Sequence, residues 1–225
     1  MKKLNLIIVL VLTAGLTSGF VFPSQVVVDQ VGASQIASLS SAEVAGLVFM
    51  REEEKLAHDL YAAFFEIYGL QAFQNIAASE LTHASAIQSL LSRYAISDPA
   101  ENTPAGVFVD PALQALYGQL LAQGERSLTE AIKAGAAVEE IDILDLQARL
   151  DQTAMLDIVQ VYKNLETGSE NHLRAFVSLL KAQTNEVYQP GYLSTEEYQR
   201  ILSGTAGNGY RGGQGNKGPG GPRPQ

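Results

Sequence analysis

Glu80 and His83 are three residues apart in a segment whose apolar residues recur at helical spacing. On a helix, side chains three residues apart project from the same face. The surrounding apolar residues predict that this face is buried: Phe73, Ile76, Ala77, Ala84, Ile87, Leu90 and Leu91. Because a buried carboxylate without a partner costs several kcal/mol, its charge must be compensated. A metal ion held jointly with other helices would compensate it.

An earlier segment, also predicted as a helix, offers two candidate acids for such a site. Glu53 falls in the gap of a stripe formed by Gly46, Met50, Ala57, Leu60 and Phe64. Glu54 falls in the gap of a neighbouring stripe formed by Leu47, Met50, Ala57, Tyr61 and Phe64. The pattern favours Glu53 and leaves Glu54 open. Glu52, in the charged run 51–55, and Glu140, on a later helix, are predicted to be solvated acids.

Two later helices add further inward polar residues. Glu139 and Asp142 share a face with Leu128, Ile132, Gly135 and Leu146. Ser169 and His172 lie directly on a stripe formed by Ile158, Leu165, Phe176 and Leu179. Glu166 falls to the side of that stripe. Four helices that each turn an acid or a histidine inward favour a metal site over unrelated hydrogen-bonded core residues.

The residue types narrow the metal. The chain has no cysteine and three histidines, so any ligand set consists of oxygen atoms and imidazoles. Carboxylates with two imidazoles suit iron or manganese, and zinc readily occupies such sites. A Glu-x-x-His pair on an inward face is also the repeating unit of carboxylate-bridged two-metal helical bundles.

The elements that position these residues are predicted to be helices. The 225 residues are 46% apolar and 17% charged, with long runs of helix-forming residues and little strand-like alternation. Capping boxes begin at Ser40, Ser127 and Ser194, and Asp151 and Thr153 are candidate caps for a further helix. The long helices are predicted over about 41–68, 70–94, 128–150 and 152–186, with shorter ones over 112–123 and 195–202. Two short-linked helix pairs joined by a long crossover predict an all-α, ferritin-like four-helix bundle.

The two ends of the chain are predicted to lie outside this bundle, which we place at residues 35–202. Two lysines precede an apolar run over residues 4–22, so residues 1–34 are predicted to be an export signal or membrane anchor with a short linker. Residues 203–225 are rich in Gly and Pro and are predicted to be a disordered tail. Residues 23–202 hold ten basic and 24 acidic residues, a charge of −14, which argues against nucleic acid and suits cations. The expected location is secreted or in the cell envelope.

Four blocks of sequence, in order, carry a family resemblance. They are M-R-E-E-E-K-L-A-H-D-L-Y (50–61), F-Q-N-I-A-A-S-E-L-T-H (73–83), A-V-E-E-I-D-I-L-D-L (137–146) and G-S-E-N-H-L-R-A-F (168–176). Together they resemble the prokaryotic family called domain of unknown function 2202, of the ferritin-like superfamily. The resemblance covers roughly residues 41–181 and implies the ferritin-like fold with a two-metal site.

Carried over by position, the ligands of the superfamily match these residues: Glu53 or Glu54, Glu80 with His83, Glu139, and His172. The last Glu-x-x-His pair is only half present, because Ser169 stands where an acid is expected. Asp142, or Glu166 one turn earlier, would replace the missing carboxylate. His58, beside the acids of the first helix, is a weaker candidate ligand.

These expectations lead to a leading function and two alternatives. The leading hypothesis is an exported two-metal protein that oxidises ferrous iron with dioxygen or peroxide. The alternatives are a non-catalytic metal-binding module of the envelope and a metal-free helical interaction domain whose inward polar residues fix helix register. The expected partners are metal ions, with membrane contact only through an uncleaved N-terminal segment. The sequence is also compatible with a homo-oligomer.

Overall fold

The computed structural model describes residues 38–204, and within this range every regular element is a helix. The helices are α1 (Ser41–Tyr68), α2 (Gln71–Arg93), α3 (Pro111–Gly124), α4 (Leu128–Leu150), α5 (Leu156–Thr184) and α6 (Thr195–Ser203). The all-α prediction is therefore confirmed for this part of the chain. None of these helices is both long and apolar enough to span a membrane. The N-terminal signal or anchor and the Gly-rich tail, apart from its first two residues, lie outside the described residues.

The helix ends follow from local sequence. Ser40 and Glu43 form a reciprocal capping box at the start of α1, and Gly69 ends it in the left-handed conformation, with φ of 62°. The Ser127 and Ser194 hydroxyls accept from the backbone N–H groups three residues later, at the starts of α4 and α6. The predicted cap of α5 is wrong. That helix begins at Leu156, and the Thr153 hydroxyl instead donates to Glu43 on α1, at 2.7 Å.

Each of the four long helices packs against two of the other three long helices. α1 packs against α2 and α4, and α5 packs against α4 and α2. Residues late in α1 meet residues early in α2: the Tyr61 and Phe73 rings are 6.5 Å apart, whereas Glu54 meets His83. α1 and α2 therefore run in opposite directions. Gly135 against Phe176 and Asp142 against Ser169 show the same for α4 and α5.

The core has two apolar clusters, and the candidate residues lie between them. One cluster includes the Phe64, Phe73 and Phe176 side chains. The other includes the Met50 and Ile87 side chains. On α1, α2 and α5, the inward acid or histidine separates the residues of the first cluster from those of the second. On α4 the first cluster extends past Glu139 and Asp142 to Ile143, and Leu146 belongs to the second. The sequence thus places one polar layer across the middle of an otherwise apolar interior.

Two acids predicted to be solvated are buried instead. Glu52 accepts from the Val109 and Asp110 backbone N–H groups at 2.5 and 2.9 Å, which ties the crossover before α3 to α1. Glu140 is fully buried. It accepts four hydrogen bonds from the segment before α6, donated by the Tyr188 hydroxyl and the backbone N–H groups of Gly191, Tyr192 and Leu193. Helical periodicity could not show this, because the donors belong to loops distant in sequence.

Candidate metal centre

Glu80 is the central residue of the polar layer. It is 2% exposed, and its two carboxylate oxygens face two different histidines. Oε2 is 2.7 Å from Nδ1 of His83, one turn along α2, and Oε1 is 2.6 Å from Nδ1 of His172 on α5. Ligand atoms of all three residues lie within 4.8 Å of one another, so this group could hold a metal ion.

A second acid approaches each histidine from another helix. Oε2 of Glu54, on α1, is 3.3 Å from Nδ1 of His83. Oε2 of Glu139, on α4, is 3.6 Å from Nδ1 of His172. The Tyr61 hydroxyl donates to the other oxygen of Glu139 at 2.6 Å, which leaves Oε2 directed at the imidazole. Each histidine therefore faces Glu80 and one further carboxylate.

Asp142, on α4, lies beside Ser169, the position on α5 where the sequence lacks an expected acid. Ser169 is fully buried, and its hydroxyl donates to Oδ2 of Asp142. Asp142 is 5% exposed, and its other oxygen, Oδ1, has no hydrogen-bond partner among residues 38–204. Glu166 does not join the cluster; it is half-buried and accepts from Gln147 at 3.1 Å.

The structure separates the two neighbouring acids of α1. Both are 2% exposed, but Glu54 points to α2 and contacts His83, whereas Glu53 faces the acids of α4. His58 stays outside the cluster, with Nδ1 2.8 Å from the Ala77 carbonyl oxygen. The sequence pattern favoured Glu53 as the acid of α1 that meets the Glu-x-x-His pair, but in the structure it is Glu54 that contacts His83.

Several polar atoms of the cluster approach one another closely without forming hydrogen bonds. Within the described residues, no partner of hydrogen-bond geometry is found for Nδ1 of His83, Nδ1 of His172, Oε1 of Glu80 or Oε1 of Glu54. The short nitrogen-to-oxygen distances at Glu80 are therefore ion-pair contacts whose angles fall outside hydrogen-bond geometry. Buried polar atoms are nearly always paired, so such a concentration requires an explanation. A cation placed between these atoms would provide one.

Burial and mutual repulsion set the charge state of the acids without metal. Burial raises the pKa of Glu54 to about 7, although His83 opposes this rise. Burial, followed by repulsion from Glu80, raises the pKa of Glu139 to about 7. Burial also raises the pKa of Asp142 well above its usual range. At neutral pH and without metal, Glu54 and Glu139 are therefore partly protonated.

The pKa shifts of Glu80 and the two histidines instead favour their charged forms. Burial disfavours a charged Glu80, but His172 and His83 outweigh this and lower its pKa to about 2. Burial likewise opposes charge on the imidazoles. Glu54 and Glu80 nevertheless raise the pKa of His83 to about 11, and Glu80 and Glu139 raise that of His172 to about 10. In the absence of metal, Glu80 is thus a carboxylate between two imidazolium ions.

Comparison with known proteins is consistent with the four sequence blocks. Residues 43–205 match the family described as "Uncharacterized protein domain (DUF2202)". The chain belongs to this family. It is 44% identical over 171 residues to uncharacterized protein MJ0754 of Methanocaldococcus jannaschii, covering 76% of this chain and 92% of that protein. The crystal structure of hypothetical protein MJ0754 from Methanococcus jannaschii superposes with a TM-score of 0.74, covering 76% of this chain and 97% of that chain.

Three residues of this DUF2202 chain that the sequence patterns did not single out lie against the cluster. The Ser79 hydroxyl is 3.1 Å from Nε2 of His172 and fixes the ring whose Nδ1 faces Glu80. Gly168 lies under His83, where a Cβ would be 2.5 Å from Cε1 of the ring. Asp145 lies beside Glu53. One signal was available, because Glu139, Asp142 and Asp145 repeat at three-residue spacing along α4.

Proposed function

We propose that this chain is an exported, ferritin-like protein that holds two divalent metal ions, iron or manganese, and oxidises ferrous iron with dioxygen or peroxide. One observation carries the proposal: both oxygens of the buried Glu80 carboxylate face histidine Nδ1 atoms, at 2.7 and 2.6 Å. A carboxylate placed between two imidazoles is the arrangement that a bridging ligand needs. The exported location rests on the apolar N-terminal run alone.

The ferritin-like assignment is supported by the order and direction of the long helices. α1 and α2 form one antiparallel pair, α4 and α5 form another, and the two pairs are joined by the long crossover that contains α3. Ferritin-like folds have one such crossover and place Glu and Glu-x-x-His ligands on facing helices.

The donor set fits two metal positions that share one carboxylate. Glu54, Glu80 and His83 would hold one ion, and Glu80, Glu139 and His172 would hold the other. In place of the acid missing at Ser169, we assign Asp142 as the further carboxylate, because its free Oδ1 is buried next to these residues. Carboxylates with one imidazole per ion suit iron and manganese, and zinc would also bind.

The surrounding residues prepare these ligands. Tyr61 holds one oxygen of Glu139, and Ser169 holds one oxygen of Asp142, so the second oxygen of each remains available. Ser79 binds the outer nitrogen of His172, the outer-shell contact that orients a metal-binding imidazole. Glu54 and Glu139 are partly protonated at pH 7 because their pKa values are raised. A bound cation would displace these protons, so metal binding should release protons.

The chemistry assigned to the site is electron transfer to a small oxidant. A bound pair of ferrous ions would supply two electrons, one each, which with two protons reduce one dioxygen to hydrogen peroxide. The protein's part is to hold the ligands in a site shielded from water, since the side chains of His83 and His172 are only 12% and 11% exposed. Such closure favours small reactants over an organic substrate.

Oxygen consumption after Fe(II) addition tests this function. The parent protein should consume dioxygen with added Fe(II) faster than buffer does, and Glu80→Gln should abolish the excess rate. Glu101→Gln, which removes an exposed acid in the crossover, is the control and should behave like the parent. Tight binding of Fe(II) without excess consumption would instead support a non-catalytic binding module. If the protein binds no Fe(II), the result would support the metal-free interaction domain instead.

A further inference from the structure

A groove between the end of α5, the segment over residues 185–194 and α6 is not used by the proposed metal centre. Its volume is about 330 Å³, which is within the range of ligand-binding pockets. Val177 and Leu202 line it, and the Val187 side chain at its rim is 66% exposed. A largely apolar groove of this size is typical of a place where a further group packs.

The groove is held open by contacts that do not depend on an occupant. Glu140 accepts four hydrogen bonds, from the Tyr188 hydroxyl and the backbone N–H groups of residues 191–193, which fixes one wall. Arg174 on α5 donates to a carbonyl oxygen of α6 at 2.8 Å, which fixes α6. The Tyr188 and Tyr198 rings line the groove, with their centroids 6.2 Å apart. Because these walls are already ordered, the cost of ordering on binding falls on the occupant alone.

The part of the chain that follows α6 starts beside this groove. Leu202 lines the groove, and Gly204, the last described residue, is two positions later. Residues 205–225 are rich in glycine and proline and contain one aromatic side chain, that of Tyr210. Six residues span at most about 20 Å when extended, so Tyr210 is within reach of a groove that begins at Leu202.

The charges of the groove and of residues 205–225 are complementary. Residues 23–202 hold ten bases and 24 acids, whereas residues 205–225 hold no acid and three bases: Arg211, Lys217 and Arg223. The first of these bases directly follows Tyr210. Glu186 lines the groove; its Oε2 pairs with Lys133 at 2.7 Å, and its 49% exposed side chain can accept a second base. Lys181 also lines the groove, but its Nζ donates to a backbone carbonyl oxygen at 3.0 Å.

We propose that residues 205–211, the docking segment, bind in this groove of their own chain. The Tyr210 ring fills the groove, and the Arg211 guanidinium pairs with Glu186. Gln199 also lines the groove and offers its amide to the Tyr210 hydroxyl. A short flexible linker gives an effective concentration in the millimolar range, so an interaction too weak to join separate molecules suffices here. The docking segment is independent of the proposed function, because none of its contacts involves the metal centre.

Cysteine cross-linking of the full chain tests the docking, because the chain has no cysteine of its own. Gln189→Cys/Gly212→Cys places one thiol in the groove lining and one just after the docking segment. Mild oxidation should close a disulfide within one chain. Adding Tyr210→Ser should slow this closure by about fivefold or more, because the segment no longer stays at the groove. Equal rates with and without Tyr210 would overturn the proposal. Disulfides formed mainly between two chains would also overturn it, because they would place the segment in the groove of a second copy.

Two controls separate docking from simple tethering. Asn216→Ser changes a polar residue beyond the docking segment, so in the same cysteine background it should leave the rate of closure unchanged. Leu156→Cys/Gly212→Cys places a thiol at the opposite end of α5, where the side chain is 85% exposed, and should not close within one chain. Closure of this second pair as fast as that of Gln189→Cys/Gly212→Cys would show that the segment has no preferred position and would overturn the proposal.

Methyl resonances of Val177 and Val187 give a second measurement on the full chain without cysteines. Their chemical shifts should differ between the parent and Tyr210→Ser. A synthetic peptide of residues 205–211, added at millimolar concentration, should move the resonances of Tyr210→Ser toward those of the parent. The same peptide should leave the parent nearly unchanged, because its groove is already filled. A peptide that shifts both proteins equally, or neither, would overturn the proposal.

Discussion

At the scale of single residues, the decisive fact is the direction in which each buried acid points. Glu52, Glu53 and Glu54 are consecutive on α1, and each is 2% exposed. Glu52 holds the crossover, Glu53 faces α4, and Glu54 contacts His83. Successive residues on a helix project about 100° apart, so three neighbours can meet three different surroundings. A difference of one position therefore changes the role of the same side chain.

Glutamine substitutions along this run test the assignment. Glu54→Gln should weaken Fe(II) binding at the centre by about tenfold to a hundredfold, because it removes a ligand. Glu53→Gln should leave that tight binding nearly unchanged. Glu52→Gln should leave tight binding nearly unchanged and lower the free energy of unfolding by about 1–3 kcal/mol, because it weakens the hydrogen bonds from the Val109 and Asp110 backbone N–H groups. Anaerobic calorimetric titration with thermal melts checks all three, and a larger loss of tight binding for Glu53→Gln than for Glu54→Gln would reverse the assignment.

The shifted pKa values predict how the stability of the metal-free protein depends on pH. The pKa values of Glu54 and Glu139 rise to about 7 on folding, so their contribution is present below pH 4.5 and is lost as the pH rises through 7. The raised pKa values of the histidines contribute below pH 6.5, and this contribution is lost as the pH rises through about 10. The contribution of Glu80, whose pKa falls to about 2, is already complete above pH 4.5.

The melting temperature in the presence of a chelator should therefore fall between pH 5 and pH 9, with a loss on the order of a few kcal/mol. Saturating Mn(II) should reverse this trend, because deprotonated ligands bind metal more tightly. Melting curves at matched ionic strength give the result. A melting temperature that rises with pH in the chelated protein would show that the acids of the cluster are not held protonated.

At the scale of helices, much of the fold could be predicted from periodicity and capping. The serine caps, the Gly69 end of α1 and the inward positions of Glu80, Ser169 and His172 follow from local spacing and are found in the structure. The partners of Glu52 and Glu140 could not be predicted, because they are loop N–H groups separated by more than forty residues. The choice between Glu53 and Glu54 could not be made either, since α1 packs against both α2 and α4.

Close packing between α2 and α5 gives a further prediction. A Cβ at Gly168 would lie 2.5 Å from Cε1 and 2.6 Å from Nε2 of His83, so the ring must move. Because a side chain rather than backbone gives way, Gly168→Ala should weaken metal binding by about tenfold or more while changing stability little. Gly118→Ala, with no atom within 4 Å of the added Cβ, is the control and should bind metal like the parent. Unchanged binding in Gly168→Ala would mean that His83 need not hold its present position.

Ser169, where α5 lacks the acid of a second Glu-x-x-His pair, gives a further prediction. Ser169→Glu would restore the second Glu-x-x-His pair, but the position is fully buried and bonded to Asp142. We expect the added side chain to lower the free energy of unfolding by about 1–3 kcal/mol through overpacking and repulsion from Asp142. Tighter binding of a second Fe(II) in this variant would show that Asp142 does not already fill the role. Thermal melts and calorimetry on the same preparation give both readings.

At the scale of the whole molecule, the polar layer divides one apolar interior into two clusters and concentrates five buried carboxyls with two imidazoles. Without metal, burial raises the pKa values of Glu54 and Glu139 to about 7, and the two histidines beside Glu80 lower its pKa to about 2. A metal ion bound only by the native state stabilises it by mass action. If the proposed function holds, a bound metal would cross-link α1, α2, α4 and α5 through these same groups and raise the stability of the protein.

The central claim is that Glu80 joins two metal positions, and anaerobic calorimetric titration with Fe(II) tests it most directly. The parent should bind two equivalents at the centre, and Glu80→Gln should lose both, because the two positions share this one carboxylate. His172→Ala should lose one equivalent and keep the one served by Glu54, Glu80 and His83. Binding by Glu80→Gln that matches the parent, in number and in affinity, would contradict the account.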